Sequence, residues 1–292
     1  MALVAGAAAV MVMIALAFAL SFSAAVSLRA ARNAREAMRL DAVAASALAR
    51  GMALLRDDGG GGPDTLLEPW AADDIVVSVD GEECRVWIED EERKLNVNRA
   101  ARKPQKPEDG PDLGPALERL VVKCGGKETD VDRIREWLWP AGGRDAGAPG
   151  GAVVISDLAA APGLTAELFV EDPAKPALTS LAGTRGDGLN VNTARQETLE
   201  ALWNDADLAS RAVARRRTTP FDSVAAVAAF LRESNAPVEA INLADATRVA
   251  SEYFTIAARP SSGARVWRAL VRRQKSEIRV IHVTRSLEEA AQ

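Results

Sequence analysis

The chain has 292 residues, enough for more than one compact unit. Hydrophobic residues make up 48% of it, which excludes a wholly disordered protein, and the low aromatic content of 4% favours a helix-rich body. The net charge of -5 argues against a protein whose main role is to bind nucleic-acid phosphates. One histidine and two cysteines are too few for a tetrahedral zinc site.

Residues 1–28 contain no charged side chain, and the first charge is Arg29. A helix of this length spans about 42 Å, more than the roughly 30 Å hydrocarbon core of a bilayer. We therefore predict a transmembrane helix over residues 1–28. A cleaved signal peptide is the alternative, but it has a basic start and a shorter apolar region.

Four arginines follow this segment, at Arg29, Arg32, Arg35 and Arg39, and no positive residue precedes it. The positive-inside rule taken literally places the body in the cytoplasm. An exported body requires a basic leader before Met1. The sequence leaves these two orientations open.

The helical pattern continues over residues 29–58 and ends at the run Gly59-Gly60-Gly61-Gly62-Pro63. Apolar residues at spacings of three and four predict that this second half packs on a globular body. They are Leu40, Val43, Ala44, Ala47, Leu48, Met52 and Leu55.

Strand patterns occur on both sides of a long helical region. Ile75–Val79 and residues 84–89 flank Asp80-Gly81, a strong hairpin signal. Further strands are predicted at 253–257, 265–271 and 278–283. Residues 64–98 and 246–285 are thus the two parts of a β body, and residues 286–292 are a tail.

Residues 99–245 form the predicted helical insert, divided into subdomains of about 99–188 and 189–245. Apolar spacing predicts helices around residues 113–121, 131–138, 199–203 and 224–231. Capping boxes are predicted at Thr129–Asp132 and Thr193–Gln196, and residues 145–151 and 171–188 are expected to be loops. The fold class is α+β with long-range strand pairing.

The tetrapeptide Leu-Asn-Val-Asn occurs twice, at 95–98 and 189–192. Asparagine side chains bond backbone groups where a chain changes direction, so we expect two structural corners, with a binding role as the alternative. The polar residues of these motifs are Asn96, Asn98, Asn190, Asn192 and Thr193.

Three segments, residues 86–98, 188–202 and 251–254, together with the N-terminal helix, resemble the type II secretion minor pseudopilins of the general secretion pathway protein K family. The resemblance extends in order over nearly the whole chain. It implies a pilin-like antiparallel sheet with a large inserted all-helical domain, SAM-like or helix-hairpin-helix-like. It also implies cleavage by a prepilin peptidase. Most pilin-like subunits have Glu at mature position five, and this family usually lacks it. If Met1 is the first mature residue, position five is Ala5, which agrees with the family.

The resemblance implies a non-catalytic role in protein secretion, at the tip of a short periplasmic pseudopilus. The implied partners are other minor pseudopilins and the major pseudopilin. The implied location is the bacterial inner membrane, with a single span and the body in the periplasm. No cofactor is required by this reading.

Two further expectations depend on this resemblance. Some relatives bind calcium, and Glu89, Asp90, Glu91 and Glu92 offer oxygen ligands, although a solvated acidic edge explains them as well. In an oxidising periplasm, Cys84 and Cys124 would close a loop of about 40 residues by a disulfide. Two free buried thiols are the alternative.

The strongest competing hypothesis is a membrane-anchored DNA-binding protein, because residues 189–231 also resemble the helix-hairpin-helix module of competence-type receptors. In that module a small hairpin offers backbone N–H groups to phosphate, whereas residues 202–207 here are bulky and acidic. The basic residues in this region are Arg211, Arg215, Arg216 and Arg217. An enzyme is disfavoured, since His282 lies in a predicted strand without a neighbouring nucleophile motif.

Overall fold

The structure is a computed structural model that describes residues 2–73, 75–106, 109–140, 151–152, 154–164 and 166–287. Three sequence predictions therefore lie partly outside the described residues. They concern Met1 of the transmembrane helix, residues 145–150 of the predicted loop, and residues 288–292 of the predicted tail.

The N-terminal helix α1 is continuous from Ala2 to Asp57. Its predicted apolar stripe lies on the sheet, where Val43, Ala44 and Ala47 are at most 1% exposed. At Gly51 the helix approaches the sheet so closely that an added Cβ would lie 2.5 Å from Ile256 Cγ2. The second half of α1 is therefore part of the folded body, as predicted.

A five-stranded antiparallel sheet forms the body. Its strands are β1 (Ile75–Val79), β2 (Glu82–Asp90), β7 (Tyr253–Pro260), β8 (Arg265–Gln274) and β9 (Glu277–Leu287), and they lie in the order β1-β2-β7-β8-β9. Asp80 and Gly81 both have positive φ, 49° and 76°, so the β1–β2 hairpin has the backbone of a type I′ turn. This confirms the α+β fold class.

The insert leaves the sheet at the end of β2 and returns at the start of β7, although these strands are neighbours. Asp90 and Phe254 face each other across this pair. The insert has a hydrophobic core of its own, which extends from Leu95 to Ala246 in sequence. A second core lies between α1 and the sheet. The exact domain boundaries, at 98/99 and 245/246, remain predictions.

The helices of the insert are α2 (Val97–Ala100), α3 (Gly114–Lys123), α4 (Glu128–Leu138), α5 (Leu178–Leu181), α6 (Gln196–Trp203), α7 (Ala206–Arg216), α8 (Val224–Glu233) and α9 (Val238–Asn242). Short 3-10 helices lie at Pro69–Ala71, Glu91–Arg93, Ile155–Ala160, Ala166–Phe169 and Ala244–Ala246. Two-residue strands pair in parallel, β3 (Leu95–Asn96) with β4 (Ala182–Gly183) and β5 (Leu189–Asn190) with β6 (Thr247–Arg248).

Both predicted capping boxes are wrong. Helix α4 begins at Glu128, and Asp130 accepts the backbone N–H of Lys127 at 2.8 Å. Helix α6 begins at Gln196, and the hydroxyl of Thr193 is used elsewhere. In both places the predicted N-cap threonine does not occupy the N-cap position: Thr129 lies within α4, and Thr193 lies two residues before the N-cap of α6.

The prediction that residues 171–188 form a loop is also wrong in part. The segment contains α5 and β4. Leu178 and Leu181 are fully buried in the core of the insert. One helical turn of this kind is stabilised by burial against its neighbours, which local pattern does not reveal.

Candidate functional site

The first half of α1 presents an apolar surface to its surroundings. Every side chain from residue 10 to residue 28 is exposed, including Phe18 at 73% and Leu20 at 71%. Within the described residues this helix is long and apolar enough to cross a membrane. An exposed apolar surface of this extent is suited to lipid or to other helices.

The acidic run at the end of β2 does not form one cluster, because its side chains alternate in direction. Glu89 and Glu91 face Lys94, whose Nζ lies 3.0 Å and 3.5 Å from their carboxylates. Asp90 and Glu92 are buried on other sides of the chain, at 1% and 4% exposure. The four acids considered as candidate calcium ligands therefore do not converge on one point in this structure, and calcium binding stays an expectation.

Asp90 is the centre of a buried set of hydrogen bonds. Its Oδ2 accepts from Thr193 Oγ1 at 2.5 Å, Ser251 Oγ at 2.7 Å and Asn190 Nδ2 at 3.0 Å. Its Oδ1 accepts from the backbone N–H of Glu92 at 2.8 Å. One carboxylate thus joins the sheet to the second half of the insert.

This set extends towards the end of α1 through Asp64 and Arg273. Asp64 Oδ2 accepts from the backbone N–H of Ser251 at 2.6 Å, and Arg273 donates to the other oxygen of Asp64. We call these residues the polar junction: Asp64, Asp90, Asn190, Thr193, Ser251 and Arg273. It connects five separate segments of the chain.

Burial changes the protonation of two acids in and beside the polar junction. Burial raises the pKa of Asp90 to about 6, against the opposing effect of the hydroxyls of Thr193 and Ser251. Burial, followed by the nearby carboxylate of Asp90, raises the pKa of Glu92 to about 8. Glu92 is therefore largely protonated at neutral pH.

The two Leu-Asn-Val-Asn motifs have the same local geometry. The first asparagine accepts the backbone N–H of the second, at 3.0 Å in both motifs. The second asparagine then pairs with both backbone groups of a distant residue. Asn98 binds Ala152 at 2.7 and 2.9 Å, and Asn192 binds Phe221 at 2.8 and 2.8 Å.

The surroundings of the two motifs differ. Asn190 and Asn192 are at most 2% exposed, and Thr193 is fully buried. Asn96 and Asn98 are half-buried, and Asn96 Nδ2 donates to the carbonyl of Gly186 at 2.7 Å. The predicted corners are thus present in the geometry, and the second one also supplies the insert side of the polar junction.

Asp64, Ser251 and Arg273 were not singled out as site residues by the sequence. Asp64 follows a glycine run, and Arg273 is one of several arginines in the last strands. The sequence signal that could have pointed to Ser251 is the family resemblance, because one of its segments begins at that residue. Their partners lie up to 215 residues away in sequence, so spacing could not identify them.

Of the two alternatives left open for Cys84 and Cys124, the structure has the free thiols, and both are buried. Cys84 lies in the core between α1 and the sheet, whereas Cys124 lies in the core of the insert. Burial raises the pKa of each thiol to about 11, so both are protonated and poorly reactive at neutral pH.

Three of the four arginines of the DNA-binding hypothesis make structural contacts. Arg216 is 8% exposed and donates to the carbonyl of Val191 at 2.5 Å. Arg215 lies over the ring of Phe221 at 4.8 Å, and Arg211 pairs with Asp207 at 3.1 Å. Nothing in this arrangement favours DNA binding.

Comparisons with known proteins fit this architecture. Residues 189–249 match the family described as Type II secretion system (T2SS), protein K. The fold is similar to GspK in the crystal structure of the GspK-GspI-GspJ complex from the type 2 secretion system of enterotoxigenic Escherichia coli. That match has a TM-score of 0.68 at 17% identity and covers 87% of this chain and 98% of the other. No curated protein sequence matches the chain.

The fold joins one helix that is long and apolar enough to span a membrane to a small antiparallel sheet, which is the architecture expected of a pilin-like subunit. The helical insert between the neighbouring strands β2 and β7 restricts the comparison to pilin-like subunits that carry an inserted helical domain. The matched segment begins at β5 and reaches just beyond β6, so it contains the whole Asn190–Asn192 corner. The resemblance to the type II secretion protein K family is confirmed by this match and by the fold.

Proposed function

We propose that this chain is a non-catalytic minor pseudopilin of the type II secretion system. The observation that carries the proposal is the combination of one exposed apolar helix, a pilin-like sheet and a bulky insert, with the protein K match inside that insert. Its role is to cap the tip of the periplasmic pseudopilus and to support protein export across the outer membrane.

Other minor pseudopilins are the proposed partners, together with the major pseudopilin. The similar GspK structure is a complex with GspI and GspJ, which supports this choice. The exposed residues 10–28 of α1 are the proposed contact with neighbouring pseudopilin helices, because they are apolar and uncovered in the isolated chain.

The proposed location is the bacterial inner membrane, with a single span and the body in the periplasm. Arg29, Arg32, Arg35 and Arg39 follow the span, and by the positive-inside rule alone they would favour the opposite orientation. Protease accessibility of the body in spheroplasts tests the proposed orientation, and a body that is protected until the inner membrane is opened would contradict it.

Replacing the apolar part of α1 by an unrelated transmembrane helix distinguishes a role of α1 in pseudopilus assembly from a role as a membrane anchor only. Three forms are compared in a strain that lacks the protein: the full chain, residues 29–292 alone, and residues 29–292 behind an unrelated transmembrane helix of equal length. We expect secretion and co-purification with the other minor pseudopilins from the full chain only. Full secretion with the unrelated helix would show that α1 is merely an anchor and would contradict the proposal.

A further inference from the structure

Three carboxylates converge just beyond the end of α1. They belong to Asp58, Asp64 and Glu68, and one oxygen of each lies within 4.8 Å of the others. Oxygen groups at such spacing are able to hold a hard divalent cation such as calcium. Asp64 is buried and Glu68 is half-buried, so their charge is only partly screened by water.

A guanidinium group from β8 reaches into this acidic group. Arg273 Nη1 lies 2.6 Å from Asp58 Oδ2, and Nη2 donates both to Asp64 Oδ1 and, at 3.1 Å, to the carbonyl of Ser251. Arg273 is 3% exposed, and its guanidinium lies 4.7 Å from the centre of the Phe254 ring. A planar, permanently charged fork with several donors suits such a multi-carboxylate site.

Glu68 completes the group from the other side. It accepts from the indole N–H of Trp70 at 2.6 Å and from the backbone N–H of Thr65 at 3.1 Å. Trp70 packs edge-to-face on Phe254 at 5.2 Å. Both oxygens of Asp64 and one oxygen each of Asp58 and Glu68 are therefore already paired with donors of the chain itself.

We propose that Arg273 is the resident cation of the Asp58–Asp64–Glu68 group, holding the end of α1 against β8 without a divalent ion. The guanidinium lies between the carboxylates of Asp58 and Asp64, which would otherwise be free to ligate a divalent ion. Lys94 stands in the same relation to Glu89 and Glu91 at the end of β2. A vacated Arg273 position would leave three carboxylates and the Ser251 carbonyl as a calcium site.

The test is thermal unfolding of the full chain in detergent, with about 5 mM calcium or with a chelator. The melting temperature of the wild type should agree within about 1 °C in the two conditions, because the guanidinium already fills the site. Arg273→Met should melt about 10 °C lower with chelator, because it leaves buried carboxylates without a cation. Calcium should restore at least half of that loss.

Arg272→Met is the matched control, since Arg272 is the next residue of the strand and pairs with the half-exposed Glu252 at 2.7 Å. It should shift the melting temperature by about 2 °C or less and show no calcium effect. If Arg273→Met does not fold with chelator, recovery of folded protein by purification in calcium supports the proposal. Arg273→Lys, which keeps a charge but loses the fork, should show a smaller loss that calcium partly restores.

Three results would overturn the proposal. One is a wild type that is stabilised by calcium or destabilised by the chelator. Another is an Arg273→Met variant as stable as Arg272→Met. The last is the same loss in Arg273→Met and Arg273→Lys, with or without calcium.

Discussion

The two Leu-Asn-Val-Asn corners are nearly identical in sequence and in local geometry, yet they do different work. At 95–98 the corner turns the chain from β2 into the insert, with half-buried asparagines. At 189–192 the corner is buried and extends into the polar junction through Asp90 and Ser251. The same local motif thus contributes differently to stability according to its surroundings, because water can replace a lost hydrogen bond only at an exposed site.

The largest difference is expected between Asn190→Ala and Asn96→Ala. Asn190 Nδ2 lies within bonding distance of Asp90, Ser251 and the Asp64 carbonyl, all buried, so its loss should lower the free energy of unfolding by about 3 kcal/mol. Asn96→Ala should cost about 1 kcal/mol, since water reaches that site. Urea unfolding followed by tryptophan fluorescence measures both, and equal losses would remove the distinction between the corners.

A smaller difference is expected between Asn192→Ala and Asn98→Ala. Each asparagine pairs with both backbone groups of one residue, Phe221 or Ala152. The buried Asn192 should be worth about 2 kcal/mol and the half-buried Asn98 about 1 kcal/mol. Hydrogen exchange of the Phe221 and Ala152 amides localises the effect, and faster exchange at both amides in either variant would argue against separate corners.

Glu92 lies near both corners, and its contribution to the free energy of unfolding depends on pH. Its folded pKa of about 8 exceeds the ordinary value of 4.5, so the folded state binds the proton more tightly. The stabilisation is complete below about pH 4.5 and is lost as the pH rises to about 8. Between pH 5 and 6.5 the wild type should lose about 2 kcal/mol relative to Glu92→Gln.

Urea unfolding at a series of pH values measures this difference. Gln keeps an oxygen that can accept the Glu252 backbone N–H, which Glu92 accepts at 3.2 Å. Glu83→Gln, an exposed substitution on β2, is the control and should leave the pH profile unchanged. Parallel profiles for wild type and Glu92→Gln would show that Glu92 is ionised in the fold.

The smallest effect is expected for the cysteines, which lie one in each core. Unfolding without reductant should expose two titratable thiols, and a reducing agent should change the melting temperature by less than about 1 °C. A single thiol-free species that gains two thiols only after reduction would mean that the two cores approach each other and form the Cys84–Cys124 disulfide.

Several elements could be predicted because their signals are local. The length of α1, its buried stripe, the Asp80-Gly81 hairpin and the apolar faces of α3, α4, α6 and α8 follow from composition and spacing. Helix α5 could not be predicted, because it is too short to show a helical period and is stabilised by the burial of Leu178 and Leu181. The capping boxes failed because Thr129 and Thr193 match the pattern but lie within or before the true helix starts.

Composition and periodicity are enough to predict the apolar helix, the strands on both sides of a helical insert, and the repeated asparagine motif. Those features depend on periodicity and on residues that are close in the chain. Folding, by contrast, establishes which acids are buried, pairs them with Lys94 and Arg273, and places Cys84 and Cys124 in different cores. These outcomes depend on side chains that folding brings together from distant segments, so no local pattern encodes them.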